Sequence, residues 1–334
     1  MTQVYLPERL DAASLEQIVT AAGAAPSLHN TQPWRYRLQP GTLTLEVRAV
    51  PERALRAIDP AGRALHLSVG AAVFNLRAAA RHLGWEAMVR LLPHAAEPQL
   101  LARIRFADTR RSGAGSGPDL YDAIWRRHSN RQPFGARVVP AGVLAELAEA
   151  VLVEGALLTA PDPAETRRLL ALTADAERRT AADPLRQEES SRWIGRHGDD
   201  PYGIPATALG PQDATGRIPM RDFGGAAPVG RPARVPFEEL PRIVVLTTAH
   251  DRRVDWLRAG QAMQHLLLLA TTHQVRSSLL HQAMEWPDLR RSLGGRHGRL
   301  GHAQMLVRLG YGPEGAACPR QLTTRKLEVA ALGG

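Results

Sequence analysis

The sequence predicts an α+β protein built from two degenerate tandem copies of one helix-and-strand unit. Three observations carry that prediction. The same order of helix and strand recurs along the chain, small residues fall at matching places in the long helix of each copy, and a Gly/Ser run, Gly113 to Gly117, separates the copies. The 334 residues also exceed the usual size of one domain, leaving room for two cores.

Each element has its own signal. Asp11 to Gly23 opens on Asp/Ser capping candidates, spaces Leu15, Ile18 and Val19 helically and stops at Gly, so it reads as a helix. Thr42 to Val50 alternates apolar and polar residues as a strand does. Ala64 to Gly84 reads as a long helix whose Gly70, Ala71, Ala72 and Ala78 permit close packing, and Pro98 to Phe106 as another strand. Past the Gly/Ser run, Pro140 to Gly155 matches the first helix. Arg242 to Asp251 is a β-branched strand, Trp256 to Val275 a helix and Ala303 to Gly312 a strand. In this register Gly70 matches Gly260, Ala72 matches Ala262 and Leu76 matches Leu266. The expected division is 1–115 and 116–334. The stretch 181–236, rich in Pro, Gly, Asp and Arg, has no counterpart in the first copy; long irregular segments inside compact domains are usually lids, arms or disordered, and a lid over a site is the preferred reading.

Composition excludes several classes. No run of apolar residues reaches the roughly 18 that a membrane span needs, and the opening residues lack a basic stretch followed by an apolar one, which points to a cytoplasmic protein. Cys318 is the single cysteine, so no internal disulfide framework exists. No Cys/His cluster has zinc spacing, and the series His265, His273, His281 runs past its helix. The net charge is +9, but the arginines are scattered among acids without an RNA-binding or zinc-finger motif, so nucleic acid is not the expected partner. "GAGSG" does not link a strand to a helix, which removes a Rossmann reading.

Two short segments carry the chemistry. "PSLHNTQPWRY", Pro26 to Tyr36, follows a helix end and is too polar for a core. "RRHSNR", Arg126 to Arg131, sets guanidinium and hydroxyl donors at the junction of a helix and an extended segment, which reads either as a seat for a phosphorylated ligand or as a solvated basic turn. Together they resemble the PSxxNxQPW loop and RRHSxR-type arm of flavin-dependent nitroreductases. The "RAGQAMQHLLLLAT" helix and the "LVRLGYGP" and "TTRKLEV" ending are similar to that family too. The resemblance is strongest to its duplicated, lid-bearing Acg-like branch.

That resemblance implies a nitroreductase-like fold, each copy a central β-sheet flanked by helices, the two forming an intramolecular pseudo-dimer. In the family, arm and loop come from different subunits and meet on FMN. Here each occurs once, in opposite copies, so one chain would hold one complete FMN site and a monomer would suffice for it, with further association left open. The implied FMN contacts are Arg127, His128, Ser129 and Arg131 from the arm, and Pro26, Ser27, Leu28 and Asn30 from the loop. Leu280, His281 and Gln282 would run past the ring, and Arg325 would reach the phosphate. Thr323 stands where a second base is common. Arg131 is the candidate cation for the ring edge that gains negative charge on reduction. No acid–base triad or metal is implied. His29 reads as a flavin or substrate donor or, alternatively, as an exposed or hydrogen-bonded structural residue. Two functions are implied: an FMN oxidoreductase passing hydride from NAD(P)H to a nitro, quinone or related conjugated acceptor, or an FMN-sequestering protein whose lid denies nicotinamide access.

Overall fold

The structure, a computed structural model, describes residues 10–39, 42, 44–108, 118–195, 200–223, 232–294, 301–321 and 327–329. The expected boundary at Gly113 to Gly117 and the expected contact Arg325 lie outside these residues.

The chain begins with α1 (Ala12–Gly23), whose N-cap Asp11 accepts a hydrogen bond from the Ser14 amide, followed by β1 (Trp34–Gln39) and β2 (Thr44–Ala49). Next come α2 (Arg63–His82), β3 (Trp85–Leu91) and β4 (Leu100–Asp108). Beyond them lie α3 (Tyr121–Arg126), α4 (Ala141–Val153) and β5 (Leu157–Thr159). An inserted stretch holds α5 (Pro163–Ala181), α6 (Pro184–Ser191), β6 (Gln212–Asp213) and β7 (Arg234–Val235). The chain resumes with β8 (Arg242–Thr248), α7 (Arg253–Thr272), β9 (Arg276–Leu280), α8 (Pro287–Leu293), β10 (His302–Gly310) and β11 (Leu327–Val329).

Two sheets share one plan. The first runs β11-β1-β2-β4-β3 and the second β5-β8-β10-β9, so that β1, β2, β4 and β3 answer to β5, β8, β10 and β9 in the same order. Every pairing inside these two sets of four is antiparallel. β11 breaks the correspondence by pairing in parallel with β1, Tyr36 opposite Leu327, so the last strand among the described residues completes the first sheet. The insertion lies between β5 and β8, where the first half has none, and α5 precedes the expected limit of 181.

The halves meet where α2 crosses α7, and the contact is built on two glycines. A Cβ on Gly70 would fall 2.2 Å from the Leu257 carbonyl oxygen, and one on Gly260 would fall 2.1 Å from that of Leu67. Only glycine permits backbones to approach so closely. The two contacts exchange equivalent residues, three positions apart in each helix. One turn on, the Phe74 and His265 rings stack at 4.7 Å, and Gln264 Nε2 donates to Asn75 Oδ1 at 2.7 Å. Both helices are buried over most of their circumference, and residues of both halves form one apolar core. Among the described residues no helix is long and apolar enough to cross a membrane.

Candidate functional site

The loop after α1 is held in an unusual backbone. His29, Asn30 and Gln32 all have positive φ, 51°, 54° and 47°, a region that non-glycine residues adopt only where surroundings compel it. Asparagine and histidine tolerate it best, and hydrogen bonds fix it here. The Asn30 amide donates to Ser27 O and the Gln32 amide to Ser27 Oγ. Asn30 Nδ2 donates to the carbonyls of Gly203 (2.8 Å) and Pro319 (3.0 Å), while its Oδ1 accepts from Arg320 Nη1 (2.8 Å). Gln32 Nε2 donates to Pro201 O, and its Oε1 accepts from the Gln321 amide. Both amide side chains therefore tie the loop to the insertion and to the C-terminal segment, leaving Pro26, Ser27, Leu28 and His29 facing a cavity.

The arm leaves α3 and lies beside β9: Ser129 bridges to Ser277 in parallel fashion, and the Asn130 amide donates to Ser277 O at 2.8 Å. Ser129 and Arg131 face the same cavity. Arg131 Nη1 donates to Ala208 O of the insertion at 2.7 Å, and its guanidinium stands 5.7 Å from the centre of the Phe223 ring. Arg127 is buried, and its Nε and Nη1 have no hydrogen-bond partner. Burial, aided by the nearby Arg320 cation, pulls its pKa down to about 9. His128 is partly buried and is held below the ordinary histidine value by desolvation, then by Arg127 and Arg320.

The floor is the end of β9 and the turn after it, Leu280 to Gln282. Arg63 Nη2 can only donate, so at 2.6 Å it fixes His281 Nε2 as an acceptor. The proton then sits on Nδ1, which donates to Glu285 Oε1 at 3.0 Å. Burial, reinforced by Arg63 and only partly opposed by Glu285, lowers the His281 pKa to about 4. Glu285 is itself buried, yet Arg221 from the insertion donates to it and holds its pKa down to about 2 against the cost of desolvation, with help from His281. Gln282 Nε2 donates to Pro219 O, leaving its buried Oε1 without a partner.

These parts enclose a cavity with about 820 Å³ of atom-free space, its open mouth included. Nine residues singled out from the sequence line it: Pro26, Ser27, Leu28, His29, Ser129, Arg131, Leu280, His281 and Gln282. Asn30, Arg127 and His128 are not in its wall. Sequence reasoning missed Ser68 on α2, Met263 on α7, and Ile204, Met220, Arg221 and Phe223 from the insertion. It also missed Arg320, a partner of Asn30 that no motif marks. Among the described residues no carboxylate pairs with Arg127, Arg131 or Arg320, and no cluster could hold a metal ion. Cations without counter-ions, unpartnered polar atoms on His29 and Gln282, and apolar walls suit a flat anionic ligand.

No family profile matches the chain. The Mycobacterium tuberculosis protein "Putative NAD(P)H nitroreductase Rv3131" is 33% identical over 305 residues, covering 91% of this chain and 86% of its own length. "Putative NAD(P)H nitroreductase acg" of the same organism is 31% identical over 314 residues, 90% of this chain and 89% of its own. Among solved structures, the FMN-dependent nitroreductase NfnB of Mycobacterium smegmatis in complex with NADPH aligns to 64% of this chain and 100% of its own, with 15% identity and a TM-score of 0.39. With one-third identity sustained over nine-tenths of its residues, the chain belongs to the nitroreductase family, in the branch that includes Acg.

Proposed function

We propose that the chain binds one FMN between its halves and passes hydride from NAD(P)H to a nitro, quinone or related conjugated acceptor. The observation that carries this reading is the cavity walled by the Pro26 loop of one half and the Ser129 to Arg131 arm of the other, in which the Arg131 guanidinium has no carboxylate partner among the described residues. We take 1–115 and 116–334 as copies of one unit, and 181–236 as the lid. A cytoplasmic location, with access to nicotinamide nucleotides, belongs to the same reading.

When bound, FMN supplies reversible two-electron chemistry that side chains lack. Arg127, buried, and Arg320, partly buried, neither paired with a carboxylate among the described residues, would hold the phosphate end, with Arg325 as a further expected contact. Arg131 supplies a fixed positive charge in the wall, stabilising negative charge that develops nearby. Asn30 acts indirectly by holding the loop. Met220, Ile204 and Phe223 exclude water from the space they cover.

The lid favours a second reading, an FMN-sequestering protein with little turnover. Asn30, Gln32, Arg131 and Gln282 all donate to lid carbonyls, so uncovering the cavity breaks several bonds at once. Anaerobic stopped-flow mixing with NADPH and NADH separates the readings. Rapid bleaching of the flavin band supports the reductase; no bleaching with either nucleotide, while dithionite still reduces the flavin, supports sequestration. Both require close to one FMN per chain, and a ratio near two would overturn the single-site account.

A further inference from the structure

His29 is a buried ring whose nitrogens find no hydrogen-bond partner among the described residues. It is 3% exposed and lines the cavity, yet neither Nδ1 nor Nε2 has a hydrogen-bond partner. Buried polar groups in folded proteins are nearly always paired, and an exception calls for a missing ligand or a stored strain. Strain is present as well, since the backbone stands at φ 51°. The surroundings offer no explanation in packing alone. The nearest ring, Phe223, meets His29 edge-on at 5.9 Å. Arg221 and Arg131 act against its protonation and Glu285 favours it, but burial dominates and its pKa falls to about 3. The ring is therefore neutral at ordinary pH, with one N–H donor and one acceptor nitrogen.

We propose that His29 is a cofactor-binding residue whose imidazole hydrogen-bonds the flavin ring, so that the loop grips the cofactor through a side chain as well as through its backbone. The inference rests on the FMN reading of the same cavity. A flavin ring fits because its polar edge carries N–H and carbonyl groups, matching a neutral imidazole that can both donate and accept. Asn30 and Gln32, which follow in the same turn, spend their side chains on the lid and C-terminal segment. That clamp holds the left-handed turn that directs His29 inward.

The test separates ring from backbone. Glycine and asparagine both accept a left-handed φ, so His29→Gly removes the imidazole without adding strain, and His29→Asn restores a shorter donor–acceptor pair. Apo-protein is titrated with FMN by fluorescence quenching, and the visible spectrum of the bound flavin is recorded. The expected result is an FMN Kd raised about tenfold or more in His29→Gly, with a shifted absorption band, partly recovered in His29→Asn. Apo-protein melting of His29→Gly should match or exceed wild type. Wild-type affinity and spectrum in His29→Gly would overturn the inference while leaving the FMN reading intact. A wild-type chain that takes up no FMN would overturn that reading and this one with it.

Discussion

His281 Nδ1 donates to Glu285 Oε1 at 3.0 Å, which joins the cavity floor to a carboxylate that Arg221 of the insertion also binds. Arg186 adds a third partner through Glu285 O at 3.2 Å. Glu285→Gln would take from Arg221 its hydrogen-bonded counter-charge, leaving Glu177 as the acidic neighbour. Stability should fall by about 3–5 kcal/mol, as when one member of a buried ion pair is removed, read as a lower urea midpoint.

Acid should weaken the fold well before carboxylates titrate. His29, His66 and His281 are each buried, with pKa values lowered to about 3, 4 and 4, burial being the first cause in every case. Below the ordinary value near 6.5 the unfolded chain binds protons on these rings and the folded chain does not, so stability falls as pH drops from 6.5 toward 4. Each ring contributes up to about 1.4 kcal/mol per pH unit. Glu285 acts in the same direction at lower pH: its contribution is complete above the ordinary carboxylate range and is lost as pH falls through about 2. Urea midpoints at pH 7.5, 6 and 5 check the slope; equal midpoints would contradict it.

The helix crossing gives a contrast between glycines. Gly70→Ala or Gly260→Ala places a methyl against a backbone oxygen and should cost on the order of 3 kcal/mol. Gly142, near the start of α4, has nothing within 4 Å of the point where an added methyl would sit, so Gly142→Ala should stabilise by about 0.5–1 kcal/mol. Thermal unfolding of the three variants tests the order.

Arg127 should show opposite effects on stability and binding. Its buried guanidinium, with Nε and Nη1 unpartnered among the described residues, is costly in the empty protein, so Arg127→Met should raise apo-protein stability by about 1–3 kcal/mol. The same change should abolish or greatly weaken FMN retention. Parallel melting curves and flavin content after dialysis measure both; a variant that retains FMN fully would remove Arg127 from the site.

What could be read in the sequence follows from how locally each feature is encoded. α1 shows its cap at Asp11, α2 and α7 show their small residues, and the offset pairing Gly70 with Gly260 is visible because both helices must meet backbone to backbone. α5 was missed because its buried face uses Thr166, Thr173 and Thr180 beside Leu169 and Leu170, so it has no clean apolar stripe. β3 alternates shielded and exposed residues, only Trp85 being fully buried, and contains one β-branched residue, Val89. At the site, the Pro26 loop and Ser129 arm carry short motifs. Asn30 is different: its partners, Gly203, Pro319 and Arg320, lie more than 170 positions away, and nothing local distinguishes holding a lid from touching a ligand.

The Gly70–Gly260 crossing lies within a single polypeptide. A seam between separate subunits disperses on dilution, because its assembly depends on protein concentration; a tethered one is governed by the linker instead. The cavity raised on this seam should thus keep its walls at any dilution. Genetically, a damaged loop in one copy of the chain cannot be rescued by an intact arm in another, so defects in the two halves should fail to complement.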